Sequence, residues 1–180
     1  TPAIAQHIYH LPIEDTSSDQ FRDAGSWVGI IFGVYNLVSA LYALLLPSIA
    51  ARFGRRNTHA FSLVCGGLGL ISMYFAPNKE FLIFSMIGVG LAWASILAMP
   101  YAILAGSIPA GKMGVYMGIF NFFITIPQIV NGIFGGPIVK HFYNSEAIYA
   151  IILAGIFMIL GAISSFYVQD ATTINMNDKR

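Results

Sequence analysis

The sequence predicts an all-α integral membrane protein, a polytopic bundle of five full transmembrane helices plus the end of a sixth. Two observations carry that prediction. Hydrophobic residues make up 57% of the 180-residue chain and charged ones only 9%, where a soluble domain carries about 25% charged residues. Mean hydropathy is +0.72. The apolar residues also gather into five runs, about 24–50, 58–76, 81–108, 113–139 and 147–168, none of which contains Asp, Glu, Lys or Arg. Each run suits a membrane helix, which needs roughly 20 apolar residues.

Residues 1–13 are moderately apolar and stop at Glu14-Asp15. They are too short to span and read as the end of a helix that begins upstream. His7 and His10 lie on this stretch; they are ordinary interfacial histidines or, alternatively, proton sensors, since histidine titrates near neutral pH. Glu14 to Asp23 is an acidic, Ser-rich loop. In the first span Gly25, Gly29 and Gly33 repeat every four residues, the spacing that lets membrane helices approach closely. Tyr35, Ser39 and Tyr42 form a separate polar and aromatic face, with Asn36 beside it. Pro47 predicts a kink or the start of the exit.

Arg52-Phe-Gly54-Arg55-Arg56 is a tight basic turn. The second span holds Gly66, Gly67 and Gly69 and little that is strongly polar. After the Pro77–Glu80 loop, the third span contains Trp93, Ser95, Pro100 and Tyr101; Pro100 frees a carbonyl one turn back and allows a bend. The fourth span carries Asn121, Thr125, Pro127, Gln128 and Asn131. At 100° per residue, Asn121, Thr125 and Gln128 share one face with Asn131 at its edge. An unpaired amide in hydrocarbon costs about 2–7 kcal/mol, so this face should look at other helices or at a water-filled cavity. It is either interhelical glue, worth about 0.6 kcal/mol per hydrogen bond on average, or the wall of a substrate site. That span should leave through Gly135-Gly136-Pro137, and the fifth is apolar with small residues. The short links make consecutive spans antiparallel neighbours.

Orientation follows from Lys and Arg in the loops. One side receives Arg52, Arg55, Arg56, Lys112, Lys179 and Arg180; the other receives Arg22, Lys79 and Lys140 beside Glu14, Asp15, Asp19 and Asp23. The Arg-rich turn and the carboxy terminus are therefore expected in the cytoplasm.

Several function classes drop out. A net charge of +1 without a basic patch gives no reason to expect nucleic acid. The single cysteine, Cys65, excludes an internal disulfide. There is no Ser/His/Asp set, phosphate loop or metal-ligand spacing, so neither an enzyme nor a cofactor or metal is expected. His59 and His141 fall on opposite sides. What remains is uncharged polar and aromatic chemistry on three spans. Amides and hydroxyls offer paired donors and acceptors, and aromatic faces stack on apolar ring surfaces. That set suits a neutral polyhydroxylated solute such as a sugar, and proline breaks on the same helices suit a transport pathway.

The basic turn resembles the cytoplasmic loop signature of the major facilitator superfamily, Gly-x-Leu-Ala-Asp-Arg-x-Gly-Arg-Arg/Lys, with Pro47 in place of the Gly and Ala51 in place of the Asp. Met99-Pro-Tyr-Ala-Ile-Leu104, followed by Gly118-x-x-Asn121-x-x-Ile124-x-x-Pro127-Gln128, resembles the tenth and eleventh helices of the sucrose-type, glycoside–pentoside–hexuronide-like sugar symporters. The resemblance implies that residues 1–180 are one transmembrane domain, the end of helix 7 through helix 12 of a twelve-helix transporter whose amino-terminal half lies upstream. It implies that helices 8, 10 and 11 border a central cavity while 9 and 12 face lipid. It also implies proton-coupled uptake of sucrose, maltose or related glucosides, with the charged coupling residues largely in the other half.

The expectations are then specific. Tyr35, Asn36, Trp93, Tyr101, Asn121, Gln128 and Asn131 are candidate sugar contacts, and Pro100 and Pro127 supply bends for gating. Arg52, Gly54, Arg55 and Arg56 form the cytoplasmic loop motif. The partners are the lipid bilayer, a small neutral sugar, a proton or other cation, and the amino-terminal half. The expected location is a bacterial inner membrane. Alternatives are a drug or peptide exporter on the same fold, which wants a more apolar cavity, and a non-transporting sensor or assembly subunit.

Overall fold

A computed structural model describes residues 1–168, and all structural statements below concern these. The candidate tail from Gln169 onward, with Lys179, Arg180 and the terminus expected in the cytoplasm, lies outside them. The chain forms α1 (Pro2–His7), α2 (Asp19–Phe53), α3 (Arg55–Ser72), α4 (Phe81–Ala105), α5 (Met113–Phe142) and α6 (Ala147–Ser165). Short 3-10 turns at Met73–Phe75 and Ala110–Lys112 extend α3 and lead into α5. The last five helices, α3 counted with its 3-10 extension, are long and apolar enough to cross a membrane.

Helix ends follow local chemistry. Ser18 caps α2 by accepting the Phe21 N–H at 3.1 Å, so the helix begins in the acidic loop rather than at Ala24. Its 35 residues give a rod of about 50 Å at 1.5 Å per residue, longer than the hydrocarbon core of about 30 Å. Pro47 stands inside this helix, as do Pro100 in α4 and Pro127 and Pro137 in α5. Proline removes one hydrogen bond and crowds the turn before it, and membrane helices accommodate that loss. The exits expected at Pro47 and Pro137 therefore lie further on, at Phe53 and Phe142. Gly54 makes the turn between α2 and α3 with φ 85°, a left-handed conformation that a side chain would strain.

Packing centres on α3, which lies between α4 and α6, while α2 packs mainly on α4 and only lightly on its chain neighbour α3. Glycines set these approaches. A methyl group added to Gly69 would come within 2.5 Å of the Ser85 carbonyl oxygen on α4. One added to Gly67 would come within 2.7 Å of the Gly155 carbonyl on α6, and one on Gly90 within 2.7 Å of the Tyr35 carbonyl on α2. The expected stripe behaves differently. Nothing lies within 4 Å of an added carbon at Gly29 or Gly33, so the close contacts are made by glycines of α3, α4 and α6 instead. Lipid-facing and helix-facing surfaces are both apolar, and spacing alone does not separate them.

The two ends of the bundle differ in charge. At one, Lys79 Nζ meets Asp23 Oδ2 at 2.7 Å and lies 5.2 Å from the Trp27 ring centre, while the Tyr9 hydroxyl donates to the same carboxylate. The Asp23 carboxylate first, and the Tyr9 hydroxyl next, hold the Lys79 ammonium above its ordinary range. This contact ties the start of α2 to the α3–α4 loop. At the other end, the Arg55 guanidinium donates to the Ala102 carbonyl at 2.9 Å. α5 stands apart, with no buried residue.

Candidate functional site

The candidate residues fall into two contacting pairs and three free-standing side chains. On α2 and α4, the rings of Tyr35 and Trp93 meet edge to face with centres 6.2 Å apart. They share an apolar groove of about 480 Å³ with Phe32, Met73, Met86 and Ile148. Trp93 is 43% exposed, so its ring stays open to whatever enters the groove. Gly90, one turn before Trp93, is what lets α2 come close enough for this pair.

On α4 and α5, the Tyr101 hydroxyl donates to Asn121 Oδ1 at 2.7 Å. The Tyr101 ring also meets Phe120 edge on, with centres 5.0 Å apart. Among the described residues this is the one side-chain hydrogen bond linking α5 to another helix. Pro100 sits immediately before Tyr101 inside α4.

Among the described residues the remaining candidates make no cross-helix hydrogen bond. The Asn36 amide donates to the Phe32 carbonyl of its own helix at 2.7 Å. Gln128 and Asn131 are exposed on α5 beside Pro127 and form no side-chain hydrogen bond among the described residues. Their amides are therefore unspent.

The polar face read on α2 divides. Tyr35 reaches the groove, but Ser39 is buried, and the Tyr42 hydroxyl pairs with Ser62 Oγ of α3 at 3.0 Å inside the bundle. Tyr42 is thus helix-to-helix glue. Ser62 was the missed partner, and its only signal was its position in an otherwise apolar run.

Arg55 and Arg56 of the basic turn splay apart to reach the carboxyl ends of different helices. Arg55 donates to the Ala102 carbonyl in the last turn of α4. Arg56 reaches the Phe166 and Val168 carbonyls beyond α6 at 3.5 and 3.4 Å. Cations belong at helix carboxyl ends, where carbonyls lack partners and the helix dipole is negative. Arg52 is exposed, its guanidinium 5.5 Å from the Phe53 ring centre.

Five apolar membrane-length helices, four of them packed together at glycine contacts and three carrying uncharged polar side chains, define a multi-pass membrane protein. The family model of the Major Facilitator Superfamily matches residues 3–178, and the chain belongs to that family. Among curated proteins it is similar to the Staphyloferrin B transporter of Staphylococcus aureus, 23% identical over 176 residues, covering 97% of this chain and 38% of that protein. It is similar to an uncharacterized MFS-type transporter of Methanocaldococcus jannaschii, 24% identical over 157 residues, with 85% of this chain and 39% of the relative covered. A third relative is Azole resistance protein 1 of Saccharomyces cerevisiae, 24% identical over 111 residues, 62% of this chain and 18% of that protein. The chain thus spans about two fifths of the length of the first two. No solved structure matches it. The first two of these relatives are named as transporters.

Proposed function

We propose that this chain forms the carboxy-terminal half of a secondary transporter that takes up a small neutral sugar together with a proton by alternating access. The observation that carries this reading is the uncharged hydrogen-bonding surface on α5. Asn121 is engaged by Tyr101, and Gln128 and Asn131 are exposed with free amides. In a membrane-length helix such groups favour a wet or substrate-bearing surface over lipid. A sugar would take its hydroxyl bonds from these amides and lay its apolar face on Tyr35 or Trp93. The opposing half, the proton site and a bacterial inner-membrane location with an inward carboxy terminus belong to this proposal. The resemblance of the Met99–Leu104 and Gly118–Gln128 motifs to sugar symporters supports it.

A second reading is favoured by the groove around Tyr35 and Trp93. Apart from Thr1 and His7, its walls are aromatic, aliphatic and methionine side chains, which suit an apolar organic cargo such as a drug. One similar protein is named for azole resistance, and another for transport of Staphyloferrin B.

Substrate protection separates these readings. Single cysteines at Gln128 and Asn131 in the full-length, Cys65-free protein should react with a water-soluble maleimide, and the transported sugar should slow that reaction. Protection by apolar drugs and by no sugar would move the assignment to the second reading.

A further inference from the structure

We propose that the cavity beneath Arg56 binds the phosphate headgroup of an anionic phospholipid. It lies at the basic end of the bundle, between α3, α4, α5 and α6, and encloses about 330 Å³, within the size range of ligand pockets. Arg56 and His59 line it from α3, Pro100 from α4 and Phe120 from α5, with Ser107 and Ser165 at its polar edge.

Arg56 is half-buried, yet among the described residues it has no carboxylate within ion-pair distance. Its two hydrogen bonds to carbonyls are long, at 3.5 and 3.4 Å, and its Nε is enclosed without any partner. A partly desolvated cation left without an anion is costly, and phosphate matches the guanidinium fork.

His59 adds a second donor. Its Nδ1 lies 2.9 Å from Ser95 Oγ, and Ser95 is fully buried with no other side-chain hydrogen bond among the described residues. A buried hydroxyl proton left unspent is unfavourable, so Ser95 donates to Nδ1. The neutral ring then carries its own proton on Nε2, which is free among the described residues to donate in the cavity that His59 lines.

The surroundings select an anionic lipid over a free ion. The described carboxylates, Glu14, Asp15, Asp19, Asp23, Glu80 and Glu146, all lie in the opposite loops or helix ends. Arg52, Arg55, Arg56 and Lys112 crowd this one, and basic groups at a membrane surface attract anionic lipid. Phe120, Pro100 and the neighbouring leucine and isoleucine provide an apolar wall along which an acyl chain can lie.

The test uses the full-length protein in detergent, with lipid binding followed by native mass spectrometry and by thermal shift. Phosphatidylglycerol should bind saturably and stabilise the protein. Diacylglycerol with the same acyl chains and inorganic phosphate should each bind at least about tenfold more weakly, since each lacks one half of the recognition. Arg56→Gln should weaken phosphatidylglycerol binding by about tenfold or more. Arg56→Lys, which keeps the charge and safeguards folding, should weaken it less, and Lys112→Gln should leave it within about twofold.

Equal losses from Lys112→Gln and Arg56→Gln would reduce the effect to general surface attraction and overturn the site. Equal binding of diacylglycerol would remove the phosphate, and equal stabilisation by inorganic phosphate would remove the lipid. Lipid binding seen only after Asp170→Asn and Asp178→Asn would give the cavity to the chain's own carboxylates.

Discussion

Tyr101→Phe tests the join between α4 and α5 with a single atom. The ring stays, and with it the edge contact to Phe120 at 5.0 Å; only the hydroxyl that donates to Asn121 at 2.7 Å is lost. If that bond is no more than glue, its worth is that of an interhelical hydrogen bond in a membrane, about 0.6 kcal/mol on average and 1.7 at most. A double-mutant cycle with Asn121→Ala should then return a coupling of that size in unfolding of the full-length protein, with transport of correctly folded molecules unchanged. If Tyr101 and Asn121 also hold the sugar, each single change leaves a substrate hydroxyl unpaired, at about 1–3 kcal/mol. That corresponds to a loss of roughly 5- to 150-fold in affinity. The sugar reading therefore expects Tyr101→Phe to move stability by well under 2 kcal/mol while raising the apparent KM for uptake by at least about fivefold. Unchanged KM in both single variants, with normal expression, would refute a substrate role for the pair.

Two further outcomes follow from the bundle. Cysteines replacing Asp19 and Lys79 in a Cys65-free background should react with an impermeant maleimide from outside the cell, whereas those replacing Arg55 and Lys112 should react only after permeabilisation; external labelling at residue 55 would invert the topology. Gly69→Val should force α3 from the Ser85 backbone of α4 and destabilise the bundle by about 1–3 kcal/mol, the usual cost of overpacking. Gly33→Val, with nothing within 4 Å, should spare these helices, and equal damage at both positions in unfolding experiments would contradict the packing described.

Much of the fold was legible because lipid imposes one simple demand, an uncharged run long enough to cross. The loops were legible through their charges, and Asp23 and Lys79, assigned to one side by sequence, do meet there. Helix ends were harder, since Pro47 and Pro137 mark exits in water-soluble chains yet lie inside α2 and α5 here. The choice of packing face was harder still. Gly29 and Gly33 carry the regular spacing, but Gly67, Gly69, Gly90 and Gly155 make the contacts, because each depends on a partner backbone distant in sequence. The same limit applies to the polar face of α2. Tyr35 and Tyr42 look alike in sequence, and only Ser62 across the interface makes Tyr42 a structural residue.

Transport itself is the most direct test of the central claim. The full-length protein in inside-out or right-side-out vesicles, given an imposed proton gradient and a panel of radiolabelled sugars, should accumulate at least one neutral di- or monosaccharide, and a protonophore should abolish that accumulation. Gradient-driven movement of an apolar drug with no sugar accumulated under any orientation would contradict it.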